Sequence, residues 1–359
     1  MLMIKRILIA FFIVLACAIN AHAQSVTVSA LSGDLSHGNN VTVSGLSFGT
    51  KATAAPKKWD DAEGQTDGQD IDINEWGTNT TQAGKQPAYN ADNLRHDKST
   101  KNIFAENSAG NYNSSFYLYE ANGYPVVYVS FWFKCVSYET TSNCKPFGMR
   151  GGGAGSLSTP EARMDFYPSG PSGHIYIYDG GYPPDTNNWG TGDDLADDGD
   201  WHRREMYLVH GDFGVSNGSF YYWRDCDLKA SIVSKVFKYT IADDWTNCYI
   251  NLYFRNDTNL GADFWFDDVY IDTTQARVEI GDDPVWADCT HREIQIPNQW
   301  SDTAIGITFN QGSFSYGQTV YLFVIDEDGN ASDGYGLIIG SEGASISSVS
   351  DSSLDIAQD

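Results

Sequence analysis

The chain is short of positive charge, of cysteine and of helical periodicity, and each shortage excludes something. Its 359 residues carry 22 Lys and Arg against 47 Asp and Glu, a formal charge of −25. Such a field repels nucleic acid and anionic membranes, which clustered Lys and Arg would have to attract, so nucleic acid is excluded as a partner. The six cysteines include no CxxC pair and no Cys-His spacing, which leaves no zinc site. After Ile19 no apolar run is long enough to span a bilayer. Gly151-Gly152-Gly153 lacks the Lys-Ser/Thr of a phosphate loop, and no nucleophile elbow occurs. Nowhere do apolar residues follow the helical period for more than about two turns.

What the chain has instead is alternation. Tyr128-Val129-Ser130-Phe131-Trp132, Arg163-Met164-Asp165-Phe166-Tyr167, His174-Ile175-Tyr176-Ile177-Tyr178 and Tyr249-Ile250-Asn251-Leu252-Tyr253-Phe254-Arg255 alternate aliphatic or Phe residues with aromatic or polar ones. Successive side chains of a strand point to opposite faces, so each segment sends one row into a core and a second row out of it. Gly, Asn, Asp and Ser clusters punctuate these segments, and the fold class predicted is all-β. The outward row holds Tyr128, Trp132, Arg163, Asp165, Tyr167, His174, Tyr176, Tyr178, Asn251, Tyr253 and Arg255. Sugars present flat C–H faces rimmed by hydroxyls, which aromatic rings and paired donors and acceptors match together. This row is therefore the candidate glycan-binding surface. The competing reading is that the rings cover a sandwich edge or pack under loops.

Lys5-Arg6, the apolar stretch Ile7 to Ile19 and Ala21-His22-Ala23 have the three regions of a secretory signal peptide spanning residues 1–23. A lipoprotein-type site at Cys17 is the rival reading, with Leu15 a poor fit to it. Cleavage removes two basic residues and no acid, so the mature chain of 336 residues carries a formal charge of −27 and is expected outside the cytoplasm: secreted, periplasmic or at the cell surface. It keeps Cys135, Cys144, Cys226, Cys248 and Cys289, an odd number. Cys135 with Cys144, flanking a Ser-Thr-Asn-rich stretch, is the first candidate disulfide, and Cys226 with Cys248 the second. Asn79, Asn113, Asn217, Asn256 and Asn330 begin glycosylation triplets, which count only in a eukaryotic secretory pathway.

The two ends of the mature chain read as parts of one small domain. Val26-Thr27-Val28, a Gly38-Asn39-Asn40 turn and Val41 to Gly49 form a strand pair running into a Gly-x-x-Phe-Gly bend at Gly45 to Gly49. This resembles the opening of the immunoglobulin-like domains called IPT/TIG. Residues 276–341, with strands at Glu293-Ile294-Gln295-Ile296, Ile305-Gly306-Ile307-Thr308-Phe309, Val320 to Ile325 and Gly336 to Gly340, resemble the closing half. Segments 24–51 and 276–341 together approach the roughly 100 residues of such a sandwich. Residues 52–275 then form an insert, and 342–359, rich in Ser and Asp, a disordered tail.

Within the insert, the segments Asp200-Trp201-His202-Arg203-Arg204-Glu205-Met206-Tyr207-Leu208 and Phe264-Trp265-Phe266-Asp267-Asp268-Val269-Tyr270-Ile271-Asp272 resemble recurrent strands of concanavalin A-like jelly rolls. The resemblance implies a sandwich whose concave sheet meets a glycan, with the Ig-like part as a spacer or a contact for a surface or protein partner. Alginate-lyase-type enzymes of this fold carry Arg, Gln or Asn, His and Tyr on that sheet. Their strands are echoed by Glu161-Ala162-Arg163-Met164-Asp165 and His174-Ile175-Tyr176, though the Gln before the His is absent. For β-elimination, Arg163 or Asn251 would neutralise a uronate carboxylate, and His174 or Tyr176 would move the proton. Hydrolysis is disfavoured, because no strand has the Glu-x-Asp-x-x-Glu acids and Arg163 separates Glu161 from Asp165. The reading is a secreted, lectin-like glycan-binding protein; a polysaccharide lyase is the alternative, and a surface structural or adhesion protein the second.

Calcium is the one cofactor expected. Asp193, Asp194, Asp197, Asp198 and Asp200 gather hard oxygen ligands in one loop, and Asp326-Glu327-Asp328-Gly329-Asn330 is a lesser candidate that equally suits a hairpin turn.

Overall fold

The computed structural model describes residues 25–340 except 81–85, 108–109, 113, 137–141, 157–159, 167–172, 179–186, 194, 196–197, 240–243 and 257–261. The segment 1–23, the tail 342–359, Tyr167, Asp194 and Asp197 lie outside the described residues. Those described are all-β, with one 3-10 turn at Trp286–Asp288 and no helix long and apolar enough to cross a membrane. The strands build a jelly-roll sandwich of two eight-stranded sheets and a smaller, immunoglobulin-like sandwich of seven strands.

In the front sheet of the jelly roll the order is Asn187–Gly190, Gly173–Tyr178, Glu161–Phe166, Ser142–Arg150, Trp245–Asn256, Ser114–Tyr124 and Gly77–Thr80, with Gly110–Tyr112 added on Trp245–Asn256. The back sheet runs Asp227–Lys235, Gly218–Arg224, Trp201–Val209, Val126–Val136, Ala262–Asp272, Asn102–Asn107 and Ala88–Asn90, with Lys58–Asp60 beside Ala262–Asp272. Alternation supplies the core between them. Phe116, Met149, Met164, Ile175 and Ile250 come from the front, and Phe131, Phe133, Met206, Phe264 and Phe266 from the back, all buried in one cluster. Each such side chain removed from water contributes about 1.5–3 kcal/mol, so this cluster, rather than the surface rows, holds the sandwich together.

The smaller sandwich draws strands from both ends of the chain. Asn40–Leu46 pairs with Ala304–Thr308, and Arg292–Trp300 passes from Ala304–Thr308 to Arg277–Gly281 through a register shift at Pro297, where a ladder donor is missing. The bend after Asn40–Leu46 has a steric cause. A Cβ on Gly45 would fall 1.9 Å from the Thr27 carbonyl oxygen and 2.4 Å from the Phe48 ring, so only glycine lets Phe48 fold back into the small core. The Phe48 carbonyl then accepts the Trp300 indole N–H at 3.2 Å.

Both sandwiches meet over buried charge. Arg203 and Glu205 on the back sheet face Arg277, Glu279 and Arg292 of the smaller sandwich. Arg203 reaches Glu279 at 2.6 Å and Arg292 reaches Glu205 at 3.3 Å. A second group joins Arg95 to Glu293 across the junction at 2.8 Å and to Asp268 at 2.5 Å. Asp268 occupies a bulge with φ of 48°, which puts two consecutive acids, Asp267 and Asp268, beside Arg95. Burial opposes the ionised form of Glu279, but Arg277, Arg203 and Arg292 outweigh it and hold its carboxyl below the usual range. At Asp267 burial and then Asp268 prevail, pushing the carboxyl well up. The guanidiniums of Arg95, Arg203, Arg277 and Arg292 thus face Glu205, Glu279, Glu293, Asp268 and Asp267, the last being driven toward its neutral form.

This balance gives the junction a two-sided pH response. Carboxyls held low, namely Glu205, Glu279 and Glu293, contribute stability at neutral pH that is lost as pH falls through and below about 4.5. Asp268, pushed up to about 6 first by burial, acts in the opposite sense and favours the fold increasingly as pH falls from about 6 toward 4. The melting temperature is expected to collapse below about pH 4.5, and on going from pH 7 to pH 5 Asp268→Asn is expected to lose part of whatever gain the wild type shows, Asp267, also pushed up, keeping the remainder, as differential scanning fluorimetry across pH will show. Glu293→Gln leaves Arg95 short of a buried partner and costs about 3–5 kcal/mol at neutral pH, measurable as a shift in urea midpoint.

Candidate functional site

On the front sheet the side chains opposite the core collect cations and tyrosines. Glu161 lies opposite Tyr178, Arg163 opposite Tyr176 and Asp165 opposite His174, while Ala162, Met164, Ile175 and Ile177 between them are buried in the core. The Arg163 guanidinium sits 3.8 Å from the Tyr176 ring centroid, and the Tyr178 ring is stacked 6.3 Å beyond at an interplanar angle of 29°. Glu161 is buried and bridges Arg163 to Arg150 on the neighbouring strand, so one carboxylate orients two guanidiniums. Gly148 lies opposite Arg163 on one side and Tyr249 on the other, and Tyr249 packs on Tyr117 at 4.9 Å. A Cβ at Gly148 would fall 2.2 Å from Leu252, so glycine there admits the Leu252 side chain to this face. Lys145, next to the core-facing Cys144, adds a third, buried cation to this side of the strand.

The segment Gly151 to Ser156 stands over one end of the face. Asn247 fastens it, accepting from the Gly155 N–H at 3.0 Å and donating to the Gly153 carbonyl at 3.2 Å. The Tyr249 hydroxyl donates to the Ser156 carbonyl at 3.2 Å. This end is thus walled by backbone, while Arg163, His174, Tyr176 and Tyr178 stay half-buried along the open part.

The residues expected on one outward row divide between two sheets. Arg163, Asp165, His174, Tyr176 and Tyr178 share the front sheet, and the backbone positions of Tyr253 and Arg255 belong to it as well. Tyr128 and Trp132 do not: both are buried on the back sheet beneath the smaller sandwich. Tyr128 donates to Glu205 at 2.6 Å with the Arg277 guanidinium over its ring at 4.4 Å. Trp132 donates to Glu293 at 3.2 Å under Arg95 at 4.6 Å. The polar row of the back sheet serves the junction, which corrects their assignment to a glycan face. Asn251 is also corrected: its φ of 51° places it in a bulge, where it is buried and donates to the Ser114 carbonyl at 3.0 Å. Sequence reasoning missed Lys145, Arg150, Glu161 and Tyr249. Arg150 and Glu161 carried a usable signal, standing opposite one another at strand ends joined through the Gly-rich stretch 151–155.

The acidic loop does not converge on a metal among its described residues. Asp193 is buried and turned toward Arg204 at 3.2 Å and Arg224 at 2.8 Å, whereas Asp198 faces His202 at 3.1 Å and Asp200 is exposed. Two guanidiniums already neutralise Asp193, which is why it leaves the group. Among the described residues no cluster of three His, Cys, Asp or Glu side chains suits a metal ion. Of the cysteines, Cys135 lies on the back sheet and Cys144 on the front, both in the shared core, so they do not flank a turn within one sheet. Cys226 packs at the junction near Cys289 while Cys248 is in the jelly-roll core, which separates the second expected pair.

No family model and no curated protein matches the chain. Among solved structures it is similar to an endo-β-1,4-glucuronan lyase from the fungus Trichoderma reesei, with 15% identity, a TM-score of 0.44, and coverage of 61% of this chain and 96% of that one. A mutant of alginate lyase Aly36B in complex with an alginate trisaccharide gives 10% identity and a TM-score of 0.45, covering 61% and 99%. The cellulose induced protein Cip1 gives 13% and 0.42, covering 61% and 98%. At these identities and scores the likeness assigns no residue and no activity to this chain.

Glu161 is the keystone of the front face, and its removal has a measurable signature. Glu161→Gln leaves two guanidiniums without their shared carboxylate and is expected to cost about 3 kcal/mol in urea unfolding. Adding Arg163→Met recovers part of that loss, a coupling of about 1–3 kcal/mol in a double-mutant cycle.

Proposed function

We propose that the front face of the jelly roll binds an acidic polysaccharide, a chain of sugar acids laid across strands Gly173–Tyr178, Glu161–Phe166 and Ser142–Arg150. The observation that carries this reading is the concentration of Arg150, Arg163 and Lys145 beside Tyr176, Tyr178, Tyr249 and Tyr117 on one sheet of a chain whose formal charge is −25. Long-range repulsion from the acidic surface is screened beyond roughly 8–10 Å at physiological salt, whereas a carboxylate on the face meets guanidiniums at contact distance. The half-buried Tyr176 and Tyr178 rings offer apolar faces to the sugar C–H surfaces, the fully buried Tyr249 only backs them, and the buried Glu161 holds the guanidiniums in place before the ligand arrives.

Elimination catalysis is the second reading, favoured by one arrangement. Arg163, Tyr176 and His174 are neighbours across one strand pair, so a uronate carboxylate on Arg163 would bring the adjacent C–H toward the hydroxyl or the imidazole. Asn251, the fourth member expected, takes no part because it is turned into the sheet. We read the smaller sandwich as an IPT/TIG-type spacer interrupted by the jelly roll, and the whole as an exported protein, on the pairing of strands from both ends and on the leader-like residues 1–23.

Affinity electrophoresis in gels containing a polyuronate tests the binding. Retardation is expected to weaken as salt rises and to fall about tenfold in Tyr178→Ala and Arg163→Lys, which keep or nearly keep the charge but lose the planar contact. Equal mobility with and without every polyuronate sinks the proposal. Ultraviolet absorbance of an unsaturated product separates the two readings: a rise abolished in His174→Ala or Tyr176→Phe establishes the lyase, and a flat trace leaves the binder.

A further inference from the structure

The back sheet carries a second aromatic row, which starts against the edge of the smaller sandwich and runs beyond it. Tyr207 on Trp201–Val209 lies between Tyr128, which is buried at the junction, and Tyr221 on Gly218–Arg224. Tyr207 and Tyr221 have ring centroids 6.2 Å apart at 26°, and Tyr221 and Trp223 lie 5.8 Å apart at 17°. All three rings are half-buried and face away from the core, since Met206, Leu208, Phe220 and Tyr222 between them are the core residues. The row thus runs out of the junction, past its edge and onto open sheet.

The surroundings of the row select its occupant. Ser231 stands opposite Tyr221 and Leu228, 53% exposed, stands opposite Trp223. At the junction end Gln275 reaches the Tyr207 hydroxyl and rests against Gly329 of the turn Asp326 to Asn330, whose φ of 87° and lack of a Cβ leave room for the amide. Glu205, opposite Trp223, is buried and already tied to Tyr128 and Arg292 of the junction, and Lys229 on the outer strand is tied to Asp227 at 2.9 Å. Near-parallel rings spaced by about one pyranose width, hydroxyl and amide groups beside them and no available cation suit a neutral sugar chain, not a charged one. A second copy of the chain is disfavoured. The outermost strand, Asp227–Lys235, guards its edge with Asp227, Lys229 and Lys235 and with Ser234 at a φ of 55°, and two copies would each bring a charge of −25.

We infer that Tyr207, Tyr221 and Trp223 form a second carbohydrate subsite, on the opposite side of the jelly roll from the front face and selective for a neutral glycan. It stands on the ring geometry of the back sheet and is independent of the front-face proposal. The test is affinity electrophoresis against neutral polysaccharides, a galactomannan and a mixed-linkage glucan, alongside a polyuronate, with sedimentation velocity on the same samples. Wild type is expected to be retarded by at least one neutral polymer, with the dissociation constant raised about tenfold in Tyr221→Ala and in Trp223→Ala and nearly restored in Trp223→Phe. Both alanine variants are expected to keep the wild-type melting temperature to within a few degrees, because the rings are half-exposed. Polyuronate retardation is unaltered by these variants, and Arg163→Lys leaves neutral binding unaltered. Absence of retardation by both neutral polymers overturns the inference, as does full binding by the alanine variants, or a wild-type dimer that the variants dissociate.

Discussion

The buried charge between the two sandwiches is the constraint on which the rest of the molecule depends. Taking Arg95, Arg203, Arg277 and Arg292 out of water is tolerable only because each meets a carboxylate within hydrogen-bond reach, and several of those carboxylates belong to the other sandwich. Neither half can keep its charged surface buried without its neighbour. The ion pairs therefore set a specific relative placement, where apolar contact alone would accept many. That placement consumes the polar row of strands Val126–Val136 and Ala262–Asp272, including Tyr128, Trp132, Asp267 and Asp268.

What the junction covers decides what is left to contact a ligand. The front sheet keeps its outer face, where Glu161 repeats the junction's device on a smaller scale by holding Arg150 and Arg163 with one buried carboxylate. The back sheet keeps only the strip from the edge of the smaller sandwich outward, with Tyr207 at that edge and Tyr221 and Trp223 beyond it. The two surfaces differ in chemistry, one cationic and aromatic, the other aromatic with the charges beside it paired in Lys229–Asp227 and Arg292–Glu205.

Much of this architecture was legible in the chain, for local reasons. Period-two alternation marked strands at Tyr128, Arg163, His174 and Tyr249, because the pleat enforces that period wherever one face is buried. The Gly45 to Gly49 bend was visible as a Gly-x-x-Phe-Gly pattern, and its physical cause is that only glycine fits against the Thr27 carbonyl. Less was legible about the site. Alternation says that Trp132 and Tyr176 both face away from a core, but not that they face away on opposite sides of it. Bulges hide further: an extra residue at Asn251 or at Asp268 changes which side chains share a face, and no composition rule announces it. The contact of Asp193, on a loop, with Arg224, on a strand of the back sheet, is likewise set by tertiary packing and marked by no local pattern.

By itself, then, the sequence determined the all-β class, the strands and the chemical character of their two rows, since these follow from side-chain parity and local sterics. Only the tertiary structure decided which row each sheet shows to solvent. That choice rests on pairing between residues far apart in the chain: Arg203 finds Glu279, and Arg95 finds Glu293. Buried charge must be matched wherever its partner lies, and no local pattern records where that is.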